Sequence, residues 1–223
     1  MYKLGPSLMC ADLGNLEQNI KELDKAGVDF YHIDIMDGKF VPNFTLGPDF
    51  VKTVRRLTNT PLDIHLMIEE PEKHIDLFAD CGVDMISVHQ ESTQNLHSLL
   101  STIKKHGIKA GVAINPGTSL EFLDYVYDLL DYIVVMTVNP GFAGQKFIPT
   151  MYEKIAKVNE RIKKYNRNIE IQVDGNIGEN TIPKCKDNGA TMYVLGTSAV
   201  FNHHHTLEEN VALTRNLFNP GTI

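Results

Sequence analysis

Two short segments, Tyr31-His32-Ile33-Asp34-Ile35-Met36-Asp37-Gly38 and Leu62-Asp63-Ile64-His65-Leu66-Met67, set ionisable side chains at alternate positions inside runs that otherwise read as buried strands. Successive strand side chains point to opposite faces, so His32, Asp34 and Met36 share one face, and His65 and Met67 share another. A later run, Ile171-Gln172-Val173-Asp174-Gly175, ends in an aspartate before a glycine turn. Four such groups are costly to bury without a cation between them. His32, Asp34, His65 and Asp174 are therefore read as ligands of one divalent metal.

The elements that must position these residues alternate along the chain, β-rich runs with longer amphipathic ones, which predicts a parallel sheet. Strands are expected at Lys3 to Leu8, Phe30 to Met36, Leu62 to Met67, Met85 to His89, Lys109 to Asn115, Tyr132 to Val138, Glu170 to Asp174 and Met192 to Gly196. Between them, Leu13, Leu16, Ile20 and Leu23, and again Ile155, Val158 and Ile162, recur at helical spacing. A weak repeat, Ala26-Gly27-Val28-Asp29, Cys81-Gly82-Val83-Asp84 and Asn188-Gly189-Ala190-Thr191, places a glycine where a helix ends before a strand. Eight strands close a (β/α)8 TIM barrel, and 223 residues suit one such domain over 1–223. A doubly wound open sheet uses the same units, but no Gly-x-Gly-x-x-Gly follows the first strand.

In a barrel, chemistry collects at the C-terminal ends of the strands. Ser7, His32, Asp34, His65 and Asp174 all fall there, as do the turns Asn139-Pro140-Gly141-Phe142-Ala143-Gly144, Asp174-Gly175-Asn176 and Gly196-Thr197-Ser198. Glycine-rich turns expose peptide N–H groups that can hold a phosphate. Each signal also has a plainer reading: a strand histidine as a satisfied core residue, a glycine cluster as a turn, Ser7 as a cap. Met36, Met67 and Met136 end strands, where they either fill gaps or form a dry lid over a reacting carbon. Asp37 is read as a turn residue before Gly38, because its parity differs from that of Asp34.

Composition narrows the partner. A net charge of −7 with scattered Lys and Arg leaves no basic stripe for nucleic acid or anionic lipid, which favours a small-molecule ligand. Cys10, Cys81 and Cys185 lack metal-type spacing and read as reduced thiols, so a cytoplasmic location is expected. No apolar run approaches the ~18 residues of a membrane span, and the start resembles no secretion signal. The histidines at 203–205 precede a helix-like segment and are not read as a purification tag.

Pro6-Ser7-Leu8, His32-Ile33-Asp34-Ile35-Met36-Asp37-Gly38 with Phe40-Val41-Pro42-Asn43, Asp63-Ile64-His65-Leu66-Met67, Val138-Asn139-Pro140-Gly141-Phe142, Phe147-Ile148-Pro149 and Val173-Asp174-Gly175 resemble the ribulose-phosphate (pentulose-phosphate) 3-epimerase family along essentially the whole chain. The resemblance implies a ribulose-phosphate-binding barrel that holds one divalent metal (Zn, Mn, Fe, Co or Mg) through His32, Asp34, His65 and Asp174. It also implies inversion of C3 of a ketose phosphate through a cis-enediolate, with Asp34 and Asp174 as acid and base. Substrate contacts are then expected from Ser7, His65, Gly141, Phe142, Ala143, Gly144, Asp174, Gly175, Asn176, Gly196, Thr197 and Ser198, in a homo-oligomer. Ribulose-5-phosphate members usually show Gly-Phe-Gly-Gly, Val-Asp-Gly-Gly and Ala-Gly-Ser where this chain has Gly141-Phe142-Ala143-Gly144, Val173-Asp174-Gly175-Asn176 and Leu195-Gly196-Thr197-Ser198. With Ser7-Leu8-Met9-Cys10, Met136-Thr137-Val138 and Phe201-Asn202-His203, these details look closer to D-allulose-6-phosphate 3-epimerases. The favoured substrate is thus D-allulose 6-phosphate, with D-ribulose 5-phosphate as the alternative. A metal-dependent hydrolase lacks its His-x-His at Gly5-Pro6-Ser7, a decarboxylase would want a lysine among these residues, and a non-catalytic sensor would not need both aspartates.

Overall fold

The computed structural model describes residues 2–165, 168–202 and 204–218, so His203 of the histidine run lies outside it. Apolar strand residues alternate between two kinds of surroundings, and that alternation sets the architecture. On one face Leu4, Ile33, Ile64, Val88, Val112, Ile133, Val173 and Tyr193 pack under helices through Ile20, Val54, Ile103, Ile155, Val158 and Ile162. On the other, Phe30, Met85, Ala113, Tyr132, Val134, Met136 and Met192 meet each other in a separate cluster, the inside of a barrel.

The strands are β1 (Lys3–Pro6), β2 (Tyr31–Asp37), β3 (Phe44–Thr45), β4 (Leu62–Met67), β5 (Met85–His89), β6 (Lys109–Ile114), β7 (Tyr132–Met136), β8 (Glu170–Asp174) and β9 (Met192–Leu195). They form one sheet in the order β1-β9-β8-β7-β6-β5-β4-β2-β3, parallel except for the β2–β3 pair. A parallel bridge between Ser7 and His32 joins β1 to β2, and the Asp29 amide donates to the Leu4 carbonyl at 2.9 Å, so the ring closes and the open doubly wound sheet is excluded. The helices are α1 (Leu16–Lys25), α2 (Pro48–Leu57), α3 (Ile75–Ala79), α4 (Leu96–Lys105), α5 (Met151–Lys164), α6 (Ile182–Asp187) and α7 (Leu207–Asn216). Among the described residues, no helix is long and apolar enough to cross a membrane.

The glycine repeat acquires a mechanical meaning. Gly27, Gly82 and Gly189 have φ of +73°, +76° and +107°, ending their helices in the left-handed range as expected. The residue that closes each repeat unit then ties down the preceding strand: Asp29 Oδ2 accepts from the Leu4 amide at 2.8 Å, Asp84 Oδ2 from Leu62 at 2.9 Å, and Thr191 Oγ1 from Ile171 at 3.1 Å. Asp131 does the same for Ala110 at 2.8 Å without a glycine before it.

Several expectations shift; the strand expected to reach Val138 stops at Met136. The first strand stops at Pro6, because the Ser7 carbonyl accepts from the Cys10 amide at 3.0 Å and turns Leu8–Cys10 into a 3-10 helix. Leu13 leaves the helical stripe: the Asp12 carboxylate caps the Gly14 amide, so Leu13–Asn15 forms a separate 3-10 turn that exposes the leucine. β3 was not anticipated; two residues are too few to carry periodicity, yet Thr45 Oγ1 donates to the Asp34 carbonyl at 2.7 Å.

Inside the barrel, glycines make room for rings. A Cβ on Gly111 would lie 2.4 Å from the Tyr132 ring, whose hydroxyl is anchored on Asp63 at 2.7 Å and whose side chain is fully buried. Gly111→Ala is expected to destabilise the fold by about 1–3 kcal/mol through overpacking, read as a lower urea midpoint. An unchanged midpoint would mean that the Tyr132 ring has slack.

Candidate metal centre and its cavity

β2 and β4 are paired so that His32 faces Asp63 and Asp34 faces His65 across the ladder, which stacks the polar residues of both strands inside the barrel. Asp174 reaches the same point from β8. The four groups His32, Asp34, His65 and Asp174 offer ligand atoms that all lie within 4.8 Å of one another. His32 Nε2 is 3.2 Å from Asp34 Oδ1 and 3.7 Å from Asp174 Oδ2; His65 Nδ1 is 3.3 Å and 3.5 Å from the same two oxygens.

His32 Nε2 and His65 Nδ1 are sealed from water and make no hydrogen bond. Orphaned buried nitrogens are rare, and two aimed at one point between two carboxylates suit a cation with nitrogen and oxygen ligands. The remote side of each ring is held. His32 Nδ1 donates to Asp63 Oδ2 at 2.8 Å, and Asp63 also accepts from the Tyr132 hydroxyl at 2.7 Å and Gln172 Nε2 at 2.7 Å. Burial and the Asp63 carboxylate push the Tyr132 phenol well above its ordinary range, keeping it a donor. His65 Nε2 lies 2.8 Å from His89 Nε2. Asp63, Gln172 and His89 were not anticipated, although each sits at an inward position of an apolar strand.

Without a cation, the carboxylates draw both histidines toward protonation. Burial works against charged imidazoles, but Asp34 and Asp63 outweigh it at His32 and pull that ring well above its ordinary value. At His65 burial is likewise overcome, by Asp174 and Asp34. Burial would raise the Asp34 carboxyl, yet His32 and His65 hold it below the usual carboxylate range. Ser7 Oγ donates to Asp34 Oδ2 at 2.6 Å, which leaves Oδ1 facing the histidines.

Above the cluster opens a cavity of about 600 Å³, counting the part continuous with solvent. Ser7, Asp34 and Asp174 line it together with Gly141, Phe142, Ala143, Gly144, Gly175, Asn176, Gly196, Thr197 and Ser198. His65 is the exception among the expected substrate contacts: it is fully buried under the two carboxylates and lines no part of the cavity. Met36, Met67 and Met136 converge on the cavity and are themselves buried. Cys10 also lines it, where burial and then Asp34 push its thiol up to about 11, which works against a thiolate there. Asp37 stays outside, its carboxylate accepting from the amides of Lys39, Phe40 and Glu69 as a turn residue would.

The rim is stapled. Asn43 Nδ2 donates to the Gly141 carbonyl at 2.7 Å, and Gln145 Nε2 donates to Asn139 at 2.6 Å and Phe142 at 3.0 Å. Gly175 has φ +118°, and a Cβ there would lie 2.5 Å from Val138 Cγ2 and 2.9 Å from its amide nitrogen, so the turn after β8 requires glycine twice over. Asn176 Nδ2 reaches Ser198 Oγ at 3.0 Å, joining the turns after β8 and β9.

Comparison of the sequence with known proteins converges on one group. A family model described as "Ribulose-phosphate 3 epimerase family" matches residues 3–201. A protein of Bacillus subtilis (strain 168) named ribulose-phosphate 3-epimerase is 46% identical over 202 residues, covering 90% of this chain and 93% of that one. An Escherichia coli (strain K12) protein of the same name is 40% identical over 202 residues, with 90% and 89% covered. Among solved structures, 3-hexulose-6-phosphate synthase from Salmonella typhimurium superposes with a TM-score of 0.73 at 17% identity, covering 99% of this chain and 100% of that one; this likeness concerns the fold alone.

Proposed function

This chain belongs to the ribulose-phosphate 3-epimerase family, and from that premise we propose that it interconverts D-ribulose 5-phosphate and D-xylulose 5-phosphate, with Asp34 and Asp174 exchanging the C3 proton. It is a carbohydrate-phosphate epimerase, an isomerase. The observation that carries the proposed mechanism is the pair of carboxylates brought to one cavity floor from β2 and β8.

The hydrogen on C3 of a ketose is acidified by the neighbouring C2 carbonyl. Its removal leaves a flat cis-enediolate, and a proton returned to the other face inverts the centre. Such an inversion needs two proton-carrying groups on opposite sides of one carbon. Asp34, oriented by Ser7, takes the proton from one epimer while Asp174 delivers one to the far face. In the reverse direction the two exchange roles. His32, Asp34, His65 and Asp174 would hold one divalent cation, which supplies Lewis-acid stabilisation of the charge developing on the substrate oxygens. The peptide groups of the turns at Gly141 to Gly144, Gly175-Asn176 and Gly196 to Ser198 anchor the phosphate, so that binding energy at the remote end aligns C3 between the carboxylates. Met36, Met67 and Met136 keep water from the flat intermediate.

The motif details at Ala143, Asn176 and Thr197 favour a six-carbon substrate, whereas relatives 40–46% identical over about nine-tenths of the chain carry the five-carbon name. Whole-chain similarity is the stronger support, since a one-carbon difference in a pocket is worth only about 10–200-fold. We expect kcat/KM for D-ribulose 5-phosphate to exceed that for D-allulose 6-phosphate by at least about tenfold. The reverse ratio, measured side by side on the same preparation, would restore the hexulose reading.

A further inference from the structure

His65 carries a second line of buried polar groups behind it. We propose that His89 and Glu91 are positioning residues for the cation at the cluster, acting through His65 by fixing which of its nitrogens keeps a lone pair. This rests on the metal-binding reading of His32, Asp34, His65 and Asp174.

The two Nε2 atoms of His65 and His89 are 2.8 Å apart, with ring planes inclined by 17°. At that separation one nitrogen carries the hydrogen and the other accepts it. To ligate, a neutral His65 must offer the lone pair of Nδ1, so its hydrogen sits on Nε2 and His89 Nε2 accepts. The hydrogen of His89 is then on Nδ1, which makes no hydrogen bond but lies 3.4 Å from Glu91 Oε2, close enough to feel its charge. The opposite arrangement would aim an N–H at the cluster and face a bare His89 lone pair towards a carboxylate. The charge of Glu91 thus favours this tautomer of both rings over the opposite one. It is itself fixed, accepting from the Asn115 amide at 3.0 Å and from the Thr118 hydroxyl in the turn after β6. His32 receives its carboxylate directly from Asp63, while His65 receives one through an intervening imidazole, so the two ligands are oriented by devices of different length.

The test compares wild type with His89→Phe, His89→Gln and Glu91→Gln. Zn(II) affinity is measured by competition with a chromogenic chelator, the absorption spectrum is recorded with Co(II), and the Tm of each metal-free protein is followed in parallel. His89→Phe should weaken Zn(II) binding by about 10–100-fold and alter the Co(II) spectrum. His89→Gln, whose side-chain oxygen can still accept from His65 Nε2, should recover most of the affinity, with Glu91→Gln in between. Wild-type affinity and spectrum in His89→Phe would overturn the proposal, as would equal losses in His89→Phe and His89→Gln, the signature of packing alone. If His89→Phe does not fold, unchanged Zn(II) affinity in Glu91→Gln overturns it instead. A wild-type protein that takes neither ion would defeat the metal reading itself and the relay with it, a result distinct from variants that bind as well as wild type.

Discussion

Asp174→Asn and Asp34→Asn are each expected to lower epimerisation by about 100- to 10,000-fold, the range a positioned acid or base contributes. Asparagine keeps the size and the carbonyl oxygen of the side chain but cannot carry the proton. The Ser7 hydroxyl can still donate to position 34, and position 174 borders an open cavity, so both variants should fold. Loss of turnover alone would not separate a proton carrier from a damaged site; exchange with deuterated water does. In Asp174→Asn the surviving Asp34 still faces C3 from its own side, so one epimer should trade its C3 hydrogen for deuterium without inverting. In Asp34→Asn the other epimer should do so. Full turnover in either variant removes that residue from the pair, and identical exchange patterns in both would contradict two carriers on opposite faces. A wild-type chain that merely senses sugar phosphates would show no exchange at all.

The residues of that pair were legible because strand parity is a local property. His32 and Asp34 stand two apart on one strand, His65 and Met67 on another, and Asp174 ends a third, so each announces its inward face without knowledge of the fold. The barrel was legible for a similar reason, since eight strands, seven of them followed by an α-helix, repeat the same alternation. The bonds between units were hidden. Ser7 reads as a cap until the ring closes and sets it against His32, within 2.6 Å of Asp34. Asp63 has the parity of His65 and could have been found by asking for every inward polar residue, but it lies deeper than the strand ends where chemistry was sought. His89 ends β5 as His65 nears the end of β4, yet only the register between those strands shows the two rings in contact. Substrate length was least legible of all. Ala143 and Asn176 sit in turns whose backbone responds to neighbours, and a single-residue motif there weighs little against identity spread over 202 residues.

Chelation is expected to remove epimerase activity to the detection limit, and stoichiometric divalent metal to restore it. Two imidazoles and two carboxylates within 4.8 Å of one another cannot remain as they are, and the protein offers a substitute: His32 and His65, pulled up by their aspartates against the effect of burial, take protons. In the metal-free protein protons therefore compete for the imidazole lone pairs. Reloading must displace those protons. Because both folded-state values lie above the ordinary histidine value of 6.5, the protonated form persists to higher pH than a free imidazole would. Metal affinity should accordingly fall as pH drops through that raised range and level off above it. A small excess of Zn(II), Mn(II) or Co(II) should then restore less turnover at pH 6 than at pH 8. The decisive measurement is C3 deuterium exchange by the chelated protein at both values. Exchange at the wild-type rate with the metal demonstrably gone would mean that the two aspartates work unaided, and that the cluster serves stability rather than chemistry.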